Sequence, residues 1–140
     1  MTPTQHYFSN AVGSVDFVPE DGYLLLHWSG APMTGPEFRA LYAHAHNLLR
    51  RYQLRGILAD HRAMPAAPAP ADRDWLLTTW LPAVLEDTAF ERYAVVPAIA
   101  PDNRLHTPAV AEHMRRVVTT ALFTDISPAA EWLRNDAPAT

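Results

Sequence analysis

A short apolar run at residues 57–59 follows directly on a long amphipathic pattern and ends in three ionisable residues. A continuous apolar run of this kind, bounded by glycine and polar residues, is typical of a strand buried on both faces of a parallel sheet. The preceding pattern has apolar residues at helical spacing over residues 38–52, and Thr34 with Glu37 forms a capping box at its start. A helix that leads straight into a buried strand favours an α/β fold.

The other periodicities predict the element order ββαβαβαβα. Helical segments between the later strands indicate parallel pairing, whereas a hairpin at the start makes the first strand antiparallel. We therefore expect an α/β fold with a mixed, mostly parallel five-stranded sheet. Its strands are predicted at residues 14–18, 23–28, 56–60, 92–96 and 123–126.

Boundaries follow from the same patterns. Residues 1–13 show no period and are predicted to be an N-terminal arm, residues 14–135 a single domain, and residues 136–140 a C-terminal tail. Asp72 is predicted to cap the second helix, which Pro82 should kink or split because proline cannot donate to the carbonyl four residues earlier. Thr107 is predicted to cap a third helix whose apolar stripe is Val110, Met114, Val117 and Ala121.

Two missing residue types restrict the chemistry. The chain has no Cys, and all eleven of its Lys and Arg residues are Arg. Thiol nucleophiles, thiolate metal sites, Schiff bases and the P-loop lysine are therefore excluded. None of the serines lies in a G-x-S-x-G or S-x-x-K motif. We expect a protein that is not an enzyme and that uses no cofactor.

Charge and hydropathy exclude further classes. The net charge of −4 argues against a nucleic-acid partner, which requires a concentrated basic surface. No run approaches the roughly 18 apolar residues of a membrane span, so no integral membrane segment is expected. The first residues lack the charged and apolar regions of a signal peptide, which favours a cytoplasmic location.

A polar cluster is predicted at the carboxyl ends of the parallel strands, where α/β proteins bind ligands. Arg and His there could hold a carboxylate or phosphate group, although a solvated loop with capping roles is the alternative. A pocket at this edge would have apolar walls from Met64, Trp75 and Trp80, with Arg62 or Arg104 at its mouth. The polar residues concerned are Asp60, His61 and Arg62 after one strand and Asp102, Asn103, Arg104 and His106 after the next.

Histidine and tryptophan offer further hypotheses. His44 and His46 diverge by about 200° on a helix and cannot share a metal ion, so no metal site is expected. His61 and His106 could act as an acid–base pair only if the fold brings them together. Trp28 and Trp75 are candidates for a dimer interface or ligand surface; alternatively, Trp28 faces the core and Trp75 covers the proline-rich loop.

The order of several motifs resembles the STAS superfamily, especially its stand-alone SpoIIAA-like bacterial members. The resemblance covers residues ~14–134 and depends on motif order and spacing. It implies helices packed mainly on one face of the sheet, no catalytic machinery, possible homodimers, and binding of a regulatory protein partner or a small apolar, lipid-like ligand. The motifs are residues 23–30 (YLLLHWSG), 33–38 (MTGPEF), 55–60 (RGILAD) and 123–133 (FTDISPAAEWL).

The chain departs from that family at its regulatory serine. Anti-sigma-factor antagonists of this type are phosphorylated on a Ser two residues after an Asp, whereas here Arg62 follows Asp60 at that spacing. A phosphorylation switch at the usual place is therefore not expected. A phospho-regulated antagonist using another residue, such as Thr34, and a small enzyme using His61 and His106 are the alternative functions.

Overall fold

The computed structural model describes residues 3–103 and 105–134, with Asp102 described by its backbone alone. Six strands form one mixed sheet in the spatial order β1-β2-β3-β4-β5-β6. The first three strands are antiparallel, and β3 through β6 run parallel. The strands are β1 (Gln5–Ser9), β2 (Gly13–Val18), β3 (Tyr23–Trp28), β4 (Gly56–Asp60), β5 (Arg92–Val96) and β6 (Thr119–Leu122).

Helices cover both faces of this sheet unequally. The first four pack on one face, around a large core to which β2, β3, β4 and β5 also contribute. The last helix packs alone on the opposite face. None of the described helices is long and apolar enough to cross a membrane. The helices are α1 (Gly35–Tyr52), α2 (Pro70–Trp75), α3 (Leu81–Asp87), α4 (His106–Met114) and α5 (Ile126–Arg134), with a π turn at Leu76–Trp80 and a 3₁₀ turn at Pro101–Asn103.

Strand β4 lies at the centre, as the apolar run predicts, and all five of its residues are buried. Side chains alternate along it, because successive residues of a strand point to opposite faces. Ile57 and Ala59 face the core under α1, whereas Leu58 faces α5. This alternation also decides where the residues after Ala59 point, and so determines the geometry of the candidate site.

The predicted N-terminal arm contains a strand that the prediction missed. Gln5–Ser9 pairs antiparallel with β2, and Tyr7 and Phe8 pack against the core. The pairing register shifts between His6 and Phe8, so apolar residues are adjacent rather than alternate. The sheet therefore has six strands rather than five, and the ordered fold begins before residue 14.

The predicted last strand is also wrong in position. The edge strand is Thr119–Leu122, and residues 123–125 connect it to α5, where the Asp125 side chain accepts from the Ile126 N–H at 2.8 Å. Helix α4 ends at Met114, so its predicted stripe does not extend to Val117, which is exposed, or to Ala121, which lies in β6. A half-exposed edge strand has no continuous apolar run, so its sequence pattern cannot be distinguished from a continuation of the preceding helix.

Proline 82 interrupts the second helical segment as predicted. Immediately before it, the Leu81 N–H donates to the Leu76 carbonyl five residues earlier, which is π-helical rather than α-helical bonding. The predicted Asp72 cap is wrong, because Ala69 occupies the N-cap position. Asp72 lies instead in the first turn and accepts from Arg39 Nε at 2.8 Å, which joins α2 to α1.

Gly13 permits the close approach of β2 to β3. A Cβ atom at this position would lie 2.2 Å from the backbone oxygen of His27, which cannot rotate away. We expect Gly13→Ala to lower the free energy of unfolding by about 1–3 kcal/mol, as overpacking does in other cores. Chemical denaturation measures the loss, with Ser14→Ala as the neighbouring control. Equal midpoints for the two variants would contradict this prediction.

Candidate functional site

Buried polar side chains collect at the carboxyl ends of β3, β4 and β5. Trp28 is the last residue of β3, and His61 directly follows β4, where its N–H donates to the Val96 carbonyl of β5 at 2.9 Å. The backbone ladder therefore fixes His61 in place. We call the group of five residues at this edge the histidine cluster: Trp28, His61, Asn103, His106 and Thr107, all of them buried.

Short contacts join four members of the cluster. The Trp28 and His61 rings meet edge to face with centroids 5.1 Å apart, and the His61 and His106 rings are 5.4 Å apart. His61 Nδ1 and Thr107 Oγ1 are hydrogen-bonded at 2.6 Å. The fold thus brings His61 and His106 together across two loops, which is the convergence that the sequence left open.

Asn103 is held close to the same place by the backbone of the loop after β4. Its Nδ2 donates to the Met64 carbonyl at 3.3 Å. Met64 is fully buried, and its N–H donates back to the His61 carbonyl at 2.9 Å. The 3₁₀ turn that carries Asn103 is therefore tied to the turn that carries His61.

Five polar atoms of the cluster have no hydrogen-bond partner among the described residues. They come from one indole, two imidazoles and one amide, which are Trp28 Nε1, His61 Nε2, Asn103 Oδ1 and both ring nitrogens of His106. Buried polar atoms in proteins are hydrogen-bonded in the great majority of cases, and each exception costs about 1–3 kcal/mol. Five such atoms at one edge of the sheet are a concentration that core packing alone does not require.

Both histidines are neutral near pH 7. Burial, with a smaller contribution from the neighbouring His106 and against the opposing effect of Asp60, lowers the pKa of His61 to about 3. Burial, with a contribution from the Arg73 guanidinium, lowers the pKa of His106 to about 4. A neutral imidazole has one donor and one acceptor nitrogen, so the cluster presents both kinds of hydrogen-bonding group.

Asp60 and Arg62 do not belong to this cluster. They lie on the α5 side of the sheet, because residues two apart on a strand share a face and Leu58 faces α5. Arg62 Nε and Nη2 donate to the two Asp60 oxygens at 3.0 and 3.1 Å. Burial alone would raise the pKa of Asp60, but the adjacent His27 ring and Arg62 guanidinium hold it well below its usual range. The predicted polar cluster is therefore divided between two faces.

The predicted aromatic residues have different environments. Trp80 is buried, and its Nε1 donates to the Tyr42 carbonyl at 2.5 Å, which makes it part of the core between α1 and the π turn. Trp75 is half-buried, with the Arg39 guanidinium 5.2 Å above its ring. Trp28 is buried in the core and cannot form an exposed interface. Arg104 lies outside the described residues.

Sequence reasoning missed Thr107 as a site residue and gave Asn103 no specific role. Thr107 was predicted to cap α4, but Leu105 occupies the N-cap position and Thr107 lies within the first turn. Its hydroxyl is instead bonded to His61 Nδ1. The available signal was that both residues lie within three positions of His106, in the segment that follows buried strand β5.

The Thr107–His61 hydrogen bond superficially resembles a nucleophile with its general base. Such pairs require a third group that orients the base and a donor set for the developing oxyanion. His61 Nε2 has no orienting acceptor among the described residues. Nor do those residues contain a group of three His, Cys, Asp or Glu arranged to hold a metal ion. Among the described residues, the Thr107–His61 pair therefore lacks the third group of a catalytic triad.

An open cavity of about 240 Å³ lies at the opposite edge of the sheet, where the parallel strands begin. None of the predicted site residues lines it. Its three arginines have partners, because Arg55 pairs with Glu91, the Arg92 guanidinium stacks 3.9 Å from the Trp132 ring, and the Arg134 side chain is hydrogen-bonded to Tyr23. The cavity therefore does not compete with the histidine cluster as the candidate site.

No family model, curated protein or solved structure matches the chain. The fold shown is an α/β fold with a six-stranded mixed sheet. Function must accordingly be argued from the histidine cluster and its surroundings.

Removing the Thr107 hydroxyl tests how tightly His61 is fixed. We expect Thr107→Val to lower the free energy of unfolding by about 1–3 kcal/mol, because it leaves a buried His61 nitrogen without its partner while preserving side-chain shape. Thr119→Val, on exposed β6, is the matched control and should change stability by less than about 0.5 kcal/mol. Equal urea midpoints for the two variants would show that the bond contributes nothing.

Proposed function

We propose that this chain is a non-enzymatic, STAS-like binding domain that holds a small molecule at the histidine cluster. The observation that carries the proposal is the set of five buried polar atoms without a protein partner. The order of elements from β2 to α5, with most helices on one face, supports the STAS-like part. The absence of Cys and Lys from the sequence supports a non-enzymatic role.

A binding role explains an arrangement that is unfavourable for folding alone. Two neutral histidines and an indole N–H in the core each lose their hydrogen bonds to water on burial, and apolar residues of similar size would avoid that cost. Proteins tolerate such arrangements where function needs them, so stability and function oppose each other there. The cluster suits a hydrogen-bonding ligand better than the wholly apolar one that the family resemblance implies.

Native mass spectrometry of the freshly purified chain tests the proposal. We expect the mass spectrum to show a bound small molecule that is lost on denaturation. The His106→Leu variant should not retain this molecule. His113→Leu, the same substitution further along α4, is the matched control and should retain the ligand. Two results together would contradict the proposal: the wild-type chain carries no ligand, and no member of a library of small polar molecules raises its melting temperature.

The stability of His106→Leu gives an independent readout. If both ring nitrogens are kept for binding, replacing the ring by an apolar side chain should raise the free energy of unfolding of the ligand-free protein by about 1–3 kcal/mol. If His106 is instead a structural residue whose ring the fold requires, the same variant should be destabilised.

The second candidate function is acid–base catalysis by His61 and His106, which the 5.4 Å contact between their rings favours. A binding module and an enzyme differ in what happens to the bound molecule. Mass spectrometry of a ligand recovered after prolonged incubation at 25 °C should show it unchanged for a binding module. Conversion that both His61→Gln and His106→Gln abolish would establish the catalytic alternative.

A homodimer and a protein partner remain proposals alongside ligand binding. Trp75 is the predicted interface residue that is still partly accessible. Trp75→Ala should weaken a dimer in sedimentation analysis if this surface is used. The alternative antagonist role through Thr34 would require phosphorylation of an exposed hydroxyl that accepts from the Glu37 N–H at the start of α1.

A further inference from the structure

We infer that the molecule bound at the histidine cluster is uncharged and carries both a hydrogen-bond donor and an acceptor, as a primary carboxamide does. This inference rests on the proposed function, since it specifies the ligand of that same site. The observations behind it are the charges around the cluster and the donor or acceptor character of each unpartnered atom.

The surroundings offer little compensation for a charged ligand. Asp60 is a carboxylate whose charge acts on His61, but it lies on the α5 side of the sheet and is already paired with Arg62. No carboxylate is a member of the cluster, and the Arg73 charge acts on His106. Among the side chains that the structure describes, a cation would therefore have no unpaired carboxylate in the cluster and would be repelled by the Arg73 charge, which is unfavourable.

An anion fits no better, because the cluster includes acceptors as well as donors. Asn103 donates through Nδ2 to the Met64 carbonyl, which leaves its Oδ1 as the unpartnered atom, and that atom only accepts. Each neutral imidazole adds a nitrogen lone pair. A carboxylate placed among these groups would have its oxygens facing other acceptors, and the described cation that acts on His106, Arg73, lies outside the cluster.

An uncharged ligand with both functions satisfies the same atoms. The Trp28 indole N–H can only donate, so it would bond a ligand oxygen. Asn103 Oδ1 would bond a ligand N–H or O–H. His61 and His106 can each take either tautomer, which lets the rings adapt to the ligand. A carboxamide carries one strong acceptor oxygen and two N–H donors on the same carbonyl carbon, so one group can bond both the donors and the acceptors of the cluster.

Three probes of similar size and different charge test the inference: acetamide, acetate and methylammonium. Binding is followed at pH 7 through the ring ¹H and ¹⁵N signals of His61 and His106, which also report the tautomers. We expect saturable shifts with acetamide and a Kd at least roughly tenfold lower than for either ion. Trp28→Phe, which keeps a ring but removes the N–H donor, should weaken acetamide binding by about tenfold.

The possible outcomes separate this inference from the proposed function. Tighter binding of acetate or methylammonium would overturn the uncharged class while leaving the site in place. If none of the probes shifts the ring signals of either histidine and the purified chain carries no ligand, both the inference and the proposed function fail. Ordered water alone would then complete these hydrogen bonds. Shifts confined to His44 or His113 would also overturn the inference, since they would place binding on the helix surfaces.

Discussion

Acidification from pH 6.5 to pH 5 is expected to destabilise the wild-type chain more steeply than a variant lacking both buried histidines. An ordinary histidine has a pKa near 6.5, whereas burial lowers the pKa of His61 to about 3 and that of His106 to about 4. Between pH 6.5 and pH 4 the unfolded chain binds protons that the folded chain does not. The stability that depends on the two neutral rings is therefore fully present above about pH 6.5. It declines as the pH falls towards the pKa values of the folded chain.

The expected size of the effect follows from proton linkage. Each histidine contributes a slope of about 1.4 kcal/mol per pH unit, so the pair accounts for a loss of up to about 4 kcal/mol between pH 6.5 and pH 5. Urea unfolding of the wild type and of the double variant His61→Leu with His106→Leu, at half-unit intervals, measures the difference. Carboxylates titrate lower, so this window isolates the histidines.

Single variants show how much each histidine contributes to the pH dependence of the free energy of unfolding. His61→Leu and His106→Leu should each remove about half of the difference. Identical pH dependence for the wild type and the double variant would mean that the buried rings bind protons as readily folded as unfolded. That result would contradict the burial of both rings.

Replacing Trp80 should cause the largest loss of stability among the predicted site residues. Its ring is 3% exposed, meets Tyr42 edge to face at 5.1 Å, and its N–H donates to the Tyr42 carbonyl. Trp80→Ala leaves a cavity between α1 and the π turn, so we expect a loss of about 3–5 kcal/mol. Thermal unfolding followed by circular dichroism measures this loss.

Two further variants separate packing from the hydrogen bond. Trp80→Phe keeps most of the ring and removes the donor, for an expected cost of about 0.5–1.5 kcal/mol. Trp75→Ala, five residues earlier in the same segment, should cost less than Trp80→Ala, since Trp75 packs against the core while only half-buried and its contact with Arg39 is largely solvated. If Trp80→Ala were no more destabilising than Trp75→Ala, Trp80 would not be a core residue.

Much of the fold was predictable because its central elements have strong local signals. The capping box before α1 is present, with Thr34 accepting from the Glu37 N–H, and the apolar run of β4 is buried throughout. The edge strands were not predictable in the same way. Strand β1 has an irregular register and β6 is half-exposed, so neither has the alternation or continuous burial that distinguishes a strand.

The candidate site was predictable in part. Placing His61 and His106 at the carboxyl ends of adjacent parallel strands followed from topology. Successive residues of a strand point to opposite faces of the sheet, so grouping Arg62 with His61 was wrong. The Thr107 bond to His61 could not be predicted, because it joins residues 46 apart whose distance only the tertiary fold determines.

The division of residues 60–62 between two faces of the sheet also has an evolutionary consequence. Asp60 and Arg62 bond one another on the α5 side, whereas His61 contacts Trp28, His106 and Thr107 on the other. Three consecutive codons thus encode parts of two separate environments. Point mutations can diversify the ion pair without altering the imidazole group. A single-codon insertion directly after Ala59 would exchange the two environments and disrupt both at once.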